Sequence, residues 1–216
     1  MSNFDLLAKF GVFVRPNFLE PALAHQVIAS AEVAWVDWLG TLDDDGVVRQ
    51  MDEVSQLKLL HSPASIHTLI NARLDAVRPQ LEDFFKLSLG KPNTQKFISY
   101  RAGDFIRPHR DQLPETKPGE ITTIIFLNNE VEAPDGGGYV GGGLFLYGLI
   151  QKEGWQDYGF QIRGETGLLV AFPAHIIHEV TPVIEGTRFS FVTQLGVAIQ
   201  DDSTQPASPR TTTTHL

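Results

Sequence analysis

Hydrophobic positions recur every three or four residues in two N-terminal stretches, then crowd into short runs after Gly90. In PALAHQVIASAEVAW, Leu23, Val27, Ile28 and Ala31 share one side of a predicted helix. Pro21 opens it at a first-turn position where no amide hydrogen bond is needed. From Ile66 the same period carries Leu69, Ile70, Leu74, Val77, Leu81, Phe84 and Phe85, predicting a second helix. Pro79 falls inside it and is expected to kink or split it, because the ring removes an amide donor and crowds the preceding turn. GVFVRPNFL (11–19) reads as a short strand and turn, and LGTLDDDGVVRQMDEVSQ as a loop or hairpin outside the core.

After Gly90 the residue chemistry changes. KFISYRAGDFIRPHRD, ITTIIFLNN, GGGLFLYGLI, YGFQIRG, GLLVAFP, HIIHEVTPVIEG and TRFSFVTQLGV are short, β-branched and aromatic, with Gly, Pro and Asn between them. Strands at this spacing predict a double-sheet jelly roll or barrel, so the class is mainly β with helical support (α+β). The change near residue 90 separates a helical support (about 1–90) from a β core (about 91–200) within one domain, 1–200. Residues 201–216, rich in Pro, Ser and Thr without apolar period, read as a disordered tail that includes His215.

Composition narrows the function. With 216 residues, 42% of them hydrophobic, the chain is long enough for one substantial core. A formal net charge of -9 argues against nucleic-acid or anionic-membrane partners, whose footprint is basic. The absence of cysteine excludes disulfides, iron–sulfur clusters and thiolate metal sites. Asp5 and Lys9 break the first apolar run, no small-residue cleavage site follows, and no stretch approaches a membrane span. The expectation is a soluble cytoplasmic protein.

Two metal-capable side chains, His109 and Asp111, stand one residue apart at the end of a predicted strand. Side chains i and i+2 leave a strand on the same face, so the pair could enter one cavity. Two histidines and a carboxylate on one face of a metal mark non-heme iron(II) oxygenases. A third ligand must then come from a distant strand, and His175 and His178 compete for the place. Ten residues after His178 stands Arg188, whose planar fork suits a bidentate carboxylate, whereas the same offset from His175 reaches Glu185. His178 is therefore preferred. His25, His61 and His67 lie in or near the helical stretches and read as surface or packed histidines.

The stretch from about 96 to 196 resembles the 2-oxoglutarate- and iron(II)-dependent dioxygenases of the prolyl 4-hydroxylase type. The resemblance is carried by YRAGDFIRPHRD, IIFLNN, GGGLFLYG and GLLVAFPAHIIHEVTPVIEGTRFSF, in that order and spacing. It implies a double-stranded β-helix (jelly-roll) core, with His109, Asp111 and His178 ligating Fe(2+). It also implies that Arg188 holds the distal carboxylate of 2-oxoglutarate and that Tyr100 lies near that cosubstrate. The activity implied is hydroxylation of a prolyl residue of a peptide or protein, or of a related small substrate. O2 is consumed, succinate and CO2 are released, and ascorbate acts as a possible support. A carboxylate at Asp111 favours hydroxylation over halogenation, since the related halogenases bind halide in its place.

One position departs from the pattern. Oxygen-sensing prolyl hydroxylases carry a tyrosine where this chain has Phe126, so Thr122, Thr123 or Tyr100 are the candidates to supply the missing hydroxyl. Nucleic-acid dealkylases of the same iron class typically carry a second arginine six residues after the first, where this chain has Gln194. The six glycines of PDGGGYVGGG (134–143) precede no phosphate-binding motif; Gly142 and Gly143 are read as letting backbones approach. No HExxH helix supports a zinc hydrolase. A non-catalytic metal- or ligand-binding jelly-roll module is the alternative reading, and substrate choice is expected in the segment 42–53 and the loop 128–139.

Overall fold

Two facing antiparallel sheets, one of them backed by helices, organise the chain. The computed structural model describes residues 3–33, 41–42, 48–49, 55–111, 120–133, 136–155 and 157–198. In chain order the elements are α1 (Asn3–Lys9), β1 (Phe13–Arg15), α2 (Pro21–Ala29), β2 (Glu32–Val33), β3 (Thr41–Leu42), β4 (Val48–Arg49), β5 (Ser55–Gln56) and β6 (Lys58–His61). They continue with α3 (Ala64–Phe85), β7 (Leu89–Arg101), β8 (Phe105–His109), β9 (Ile121–Phe126), β10 (Tyr139–Gly141) and β11 (Leu144–Leu146). The last are β12 (Phe160–Ile162), β13 (Leu169–Pro173), β14 (His178–Val180) and β15 (Val183–Val197).

The major sheet runs β1-β13-β9-β15-β7-β6-β2, with β10 added along β15; the minor sheet runs β12-β11-β14-β8-β5. Strands distant in sequence pair, β15 lying between β7 and β9, which is the jelly-roll arrangement expected. Each apolar run after Gly90 contains a strand. The first ninety residues are not solely helical, however, because β1, β2 and β6 extend the major sheet and β5 extends the minor one. These strands are only two to four residues long, and their pairing depends on distant partners that local periodicity does not report.

Alternation along the major sheet sorts two cores. Phe97, Ile121, Ile125, Leu169, Ala171, Phe191 and Leu195 turn toward α2 and α3 and pack on Val27, Ile66, Ile70, Leu74 and Leu81. Ile98, Tyr100, Ile124, Phe126, Val170 and Phe172 turn inward and meet Leu144, Leu146, Ile162 and Val180 of the minor sheet. Because helices cover one face and the second sheet the other, all six residues of β9 are buried. Gly167 fixes one junction: at φ +80° its carbonyl accepts from the amides of Phe18 and Leu19, and a Cβ would stand 1.9 Å from the Leu19 oxygen.

Two expectations about the helices are corrected. The expected split does not occur: α3 runs as one helix through Pro79. The buried stripe Ile66, Ile70, Leu74, Val77 and Leu81 continues on both sides of it, and that packing offsets the roughly 3 kcal/mol an interior proline costs. α2 stops at Ala29 rather than continuing through Ala31, because Glu32 and Val33 pair with His61 and Leu60 as a strand. Within the stretch read as a loop or hairpin, Thr41–Leu42 pairs with Val48–Arg49; 43–47 and 50–54 lie outside the described residues, as does the tail 201–216. Among the described residues no helix is long and apolar enough to cross a membrane.

Candidate metal centre and carboxylate pocket

The minor sheet brings the two histidines together. His178 opens β14 and lies opposite His109, the last residue of β8, with ring centroids 4.2 Å apart. Phe172 meets the His178 ring edge-on at 4.9 Å and fixes its tilt. Asp111 lies beyond the end of β8, so strand alternation alone does not place it. Its amide donates to the Ala174 carbonyl at 3.1 Å, which ties the post-strand chain to the turn before β14. The carboxylate oxygens then stand 3.7 Å from His109 Nε2 and 3.6 Å from His178 Nε2. Ligand atoms of all three residues lie within 4.8 Å of one another.

Hydrogen bonds set the tautomers. Each Nδ1–H donates to the carbonyl two residues earlier, His109 to Arg107 at 2.9 Å and His178 to Ile176 at 3.0 Å. A carbonyl can only accept, so each Nδ1 carries a proton and each Nε2 is the ring nitrogen turned toward the shared space. Burial, with the neighbouring His178 charge, pushes His109 down to about 4 and keeps it neutral near pH 7. Burial alone raises the Asp111 carboxyl, but the adjacent imidazoles and a 2.6 Å hydrogen bond donated by Thr122 Oγ1 outweigh it and hold the group below the usual carboxylate value. Two imidazole nitrogens and one carboxylate facing one shared space suit a divalent iron ion, with further positions left for other ligands.

Arg188 lies on β15, on the inward face, paired across from Tyr100 of β7. It is 1% exposed, yet its Nε and Nη1 have no hydrogen-bond partner among the described residues. Its Cζ sits 5.2 Å from the Tyr100 ring and 5.0 Å from the Phe126 ring. A buried cation without a counter-charge is costly, so a site of this kind fits an anion that enters it. Tyr100 is buried in the inter-sheet core beside this cation, and burial pushes its phenol up to about 12.

All five residues singled out from sequence adjoin this inter-sheet space, whereas His175 is exposed. His67 is a packed histidine, bonded to Ser62 Oγ and Gln95 Oε1 and edge-on to Phe191. Thr122 and Thr123 do not replace the hydroxyl missing at Phe126. The first donates to Asp111 and the second, on the other face of β9, to the Thr193 carbonyl. Gln194 accepts from Thr94 and carries no charge into the site. The support Thr122 gives Asp111, and the placement of Lys96 and Tyr139, were missed. Lys96 shares the inward face of β7 with Tyr100; burial lowers its pKa, and the Asp111 charge opposes that shift. Strand threonines, lysines and tyrosines carry no periodic signal of such a role; only the odd–even count along β7 and β9 could have found the first two.

Residues 95–194 match the family model of the 2OG-Fe(II) oxygenase superfamily. This segment is a 2OG-Fe(II) oxygenase domain. The enzyme class is therefore a dioxygenase using Fe(II), 2-oxoglutarate and O2. No curated protein matches the chain. Among solved structures, the domain and its flanks are similar to a Pseudomonas putida prolyl-4-hydroxylase at 19% identity, covering 90% of this chain and 97% of that one, TM-score 0.65. A Trichoplax adhaerens prolyl hydroxylase, in complex with a hypoxia inducible factor oxygen degradation domain peptide, is 15% identical over 89% of this chain and 86% of that one, TM-score 0.59. A non-heme alpha ketoglutarate dependent carbocyclase, SnoK, from nogalamycin biosynthesis is 12% identical over 90% and 83%, TM-score 0.59. At these identities the likeness is one of fold; two of the three are prolyl hydroxylases and the third is a carbocyclase.

Proposed function

We propose that His109, Asp111 and His178 hold Fe(II), that Arg188 receives the distal carboxylate of 2-oxoglutarate with Tyr100 beside it, and that the enzyme hydroxylates a prolyl residue of a peptide or protein or a related small substrate. The catalytic unit in this reading spans residues 1–200 as one domain. The observation that carries it is Arg188: a guanidinium 1% exposed, with two unpartnered donors, on the wall of the compartment that holds the triad. An anion with two acceptor oxygens satisfies such a fork, and a keto-acid whose far end is a carboxylate does so while its other end faces the ligand set.

Once bound, Fe(II) with 2-oxoglutarate and O2 supplies the oxidising chemistry, and the protein supplies position and environment. Arg107 and Ile176 carbonyls accept from the imidazole Nδ1 atoms and so turn both Nε2 atoms toward the shared space. Thr122 holds the Asp111 carboxylate in orientation and ionised. Phe172, Phe126 and Ile124, all buried, exclude water around the cosubstrate side. The prolyl preference draws support from the named functions of two similar structures.

Incubation with Fe(II), ascorbate, 2-oxoglutarate and a panel of prolyl peptides, free proline and other amino acids tests the reading. A gain of one oxygen on proline, dependent on iron and lost in Asp111→Ala, is expected. Iron-dependent succinate release with no oxygen gained by any prolyl compound would overturn the prolyl substrate while leaving the oxygenase intact.

A further inference from the structure

We propose that Tyr139 completes the carboxylate pocket, its hydroxyl donating to the same distal carboxylate of 2-oxoglutarate that Arg188 takes, and so supplies from β10 the hydroxyl that Phe126 lacks. The inference rests on the reading of Arg188 given above.

Tyr139 is fully buried, and its hydroxyl lies beside the Arg188 side chain without a well-aligned hydrogen bond to any described residue. β10 lies along β15 with Tyr139 opposite Gly186, two residues before Arg188. Gly186, at φ +81°, permits that approach, since a Cβ there would stand 2.6 Å from the Gly138 oxygen. Two further glycines shape the space around the phenol. A Cβ at Gly164 would stand 2.0 Å from the Tyr139 hydroxyl and 2.8 Å from Phe126 Cδ1, which sets that hydroxyl at the edge of the Phe126 ring. A Cβ at Gly142, where φ is +62°, would stand 3.3 Å from Tyr139 Cε2 and 3.5 Å from Arg188 Cδ. Phe126 in turn lies 5.0 Å from the guanidinium carbon. The hydroxyl, the Phe126 ring edge and the arginine therefore border one small volume.

Three of the four orphaned buried polar atoms among the described residues are Tyr139 Oη, Arg188 Nε and Arg188 Nη1; the fourth, Thr193 Oγ1, belongs to the opposite face of β15. Buried donors without acceptors are rare, and three in one place match the several lone pairs of a single carboxylate. Burial pushes the Tyr139 phenol up to about 12, the Arg188 charge only partly opposing it, so it remains a donor across the working pH range.

The test is anaerobic titration of 2-oxoglutarate, and separately of 2-oxopentanoate, into the Fe(II)-loaded protein, read by the charge-transfer absorbance of the complex. Tyr139→Phe is expected to weaken 2-oxoglutarate by about tenfold, equivalent to ~1.4 kcal/mol, and to leave the binding of 2-oxopentanoate, which has no distal carboxylate, unchanged. Equal weakening of both ligands, or no weakening of either, would overturn the role of Tyr139. Arg188→Ala is measured in parallel. If that variant binds 2-oxoglutarate normally, the reading of Arg188 itself fails. If it binds weakly while Tyr139→Phe binds normally, only the role of Tyr139 fails.

Discussion

Replacing Arg188 with methionine should make the ligand-free protein more stable while removing its cosubstrate site. The guanidinium is 1% exposed and leaves Nε and Nη1 unpaired. Each buried, unsatisfied donor costs about 1–3 kcal/mol, more on a charged group. Against that, the cation gains from the Tyr100 and Phe126 rings at 5.2 and 5.0 Å, about 0.5–2 kcal/mol each. Methionine retains most of the volume, adapts to the gap and keeps contact with both rings. The balance favours the variant by about 1–3 kcal/mol, within the range seen when buried ionic groups are replaced by apolar ones. At roughly 2–4 °C per kcal/mol for a domain of this size, Tm should rise by several degrees. The assay is thermal unfolding with and without 2-oxoglutarate, in the presence of a redox-inert divalent metal. Wild type should gain stability from the ligand and the variant should not. A variant less stable than wild type without ligand, or one that keeps the ligand-induced shift, would refute the reasoning.

Thr122→Val removes the 2.6 Å hydrogen bond to Asp111 and should weaken metal binding by about 10- to 100-fold; an unchanged affinity in a metal titration would show that the ligand needs no such support. Tyr100 and Tyr139 have phenols raised to about 12 by burial against about 10 unfolded. Between those values the folded state binds more protons than the unfolded one, so stability is full below pH 10 and falls as pH rises toward 12. Phenolate absorbance of these two residues should consequently appear together with loss of circular dichroism, and earlier ionisation in an intact fold would contradict the burial. Pro79→Ala restores an amide donor in an exposed turn of α3 and should stabilise the protein, by no more than about 3 kcal/mol; denaturant unfolding with a lower midpoint would contradict the continuous helix.

His109, His178 and Arg188 were legible as candidates because imidazoles and an arginine are uncommon in apolar strands, and Asp111 because its interval from His109 matched a known chemistry. Tyr139 was not, because a strand tyrosine is ordinarily a packing residue and its role depends on Gly142 just past its own strand and on Gly164 and Gly186 from two distant segments. Thr122 was singled out for the wrong task. ITTIIF is buried on both faces, so its pattern does not say which threonine looks at the triad. The strands after Gly90 declared themselves by composition. β2, β5 and β6 did not, since two- to four-residue strands exist only through partners fixed elsewhere. Pro79 misled because a helix is held as much by its buried stripe as by its local propensity.

Succinate release from 2-oxoglutarate, measured with and without Fe(II) under air, separates His178 from its neighbour His175. Wild type and His175→Ala should release succinate only when iron is present. His109→Ala, Asp111→Ala and His178→Ala should release none while unfolding cooperatively like wild type. Retained turnover in His178→Ala, or its loss in His175→Ala, would contradict the assignment of the centre.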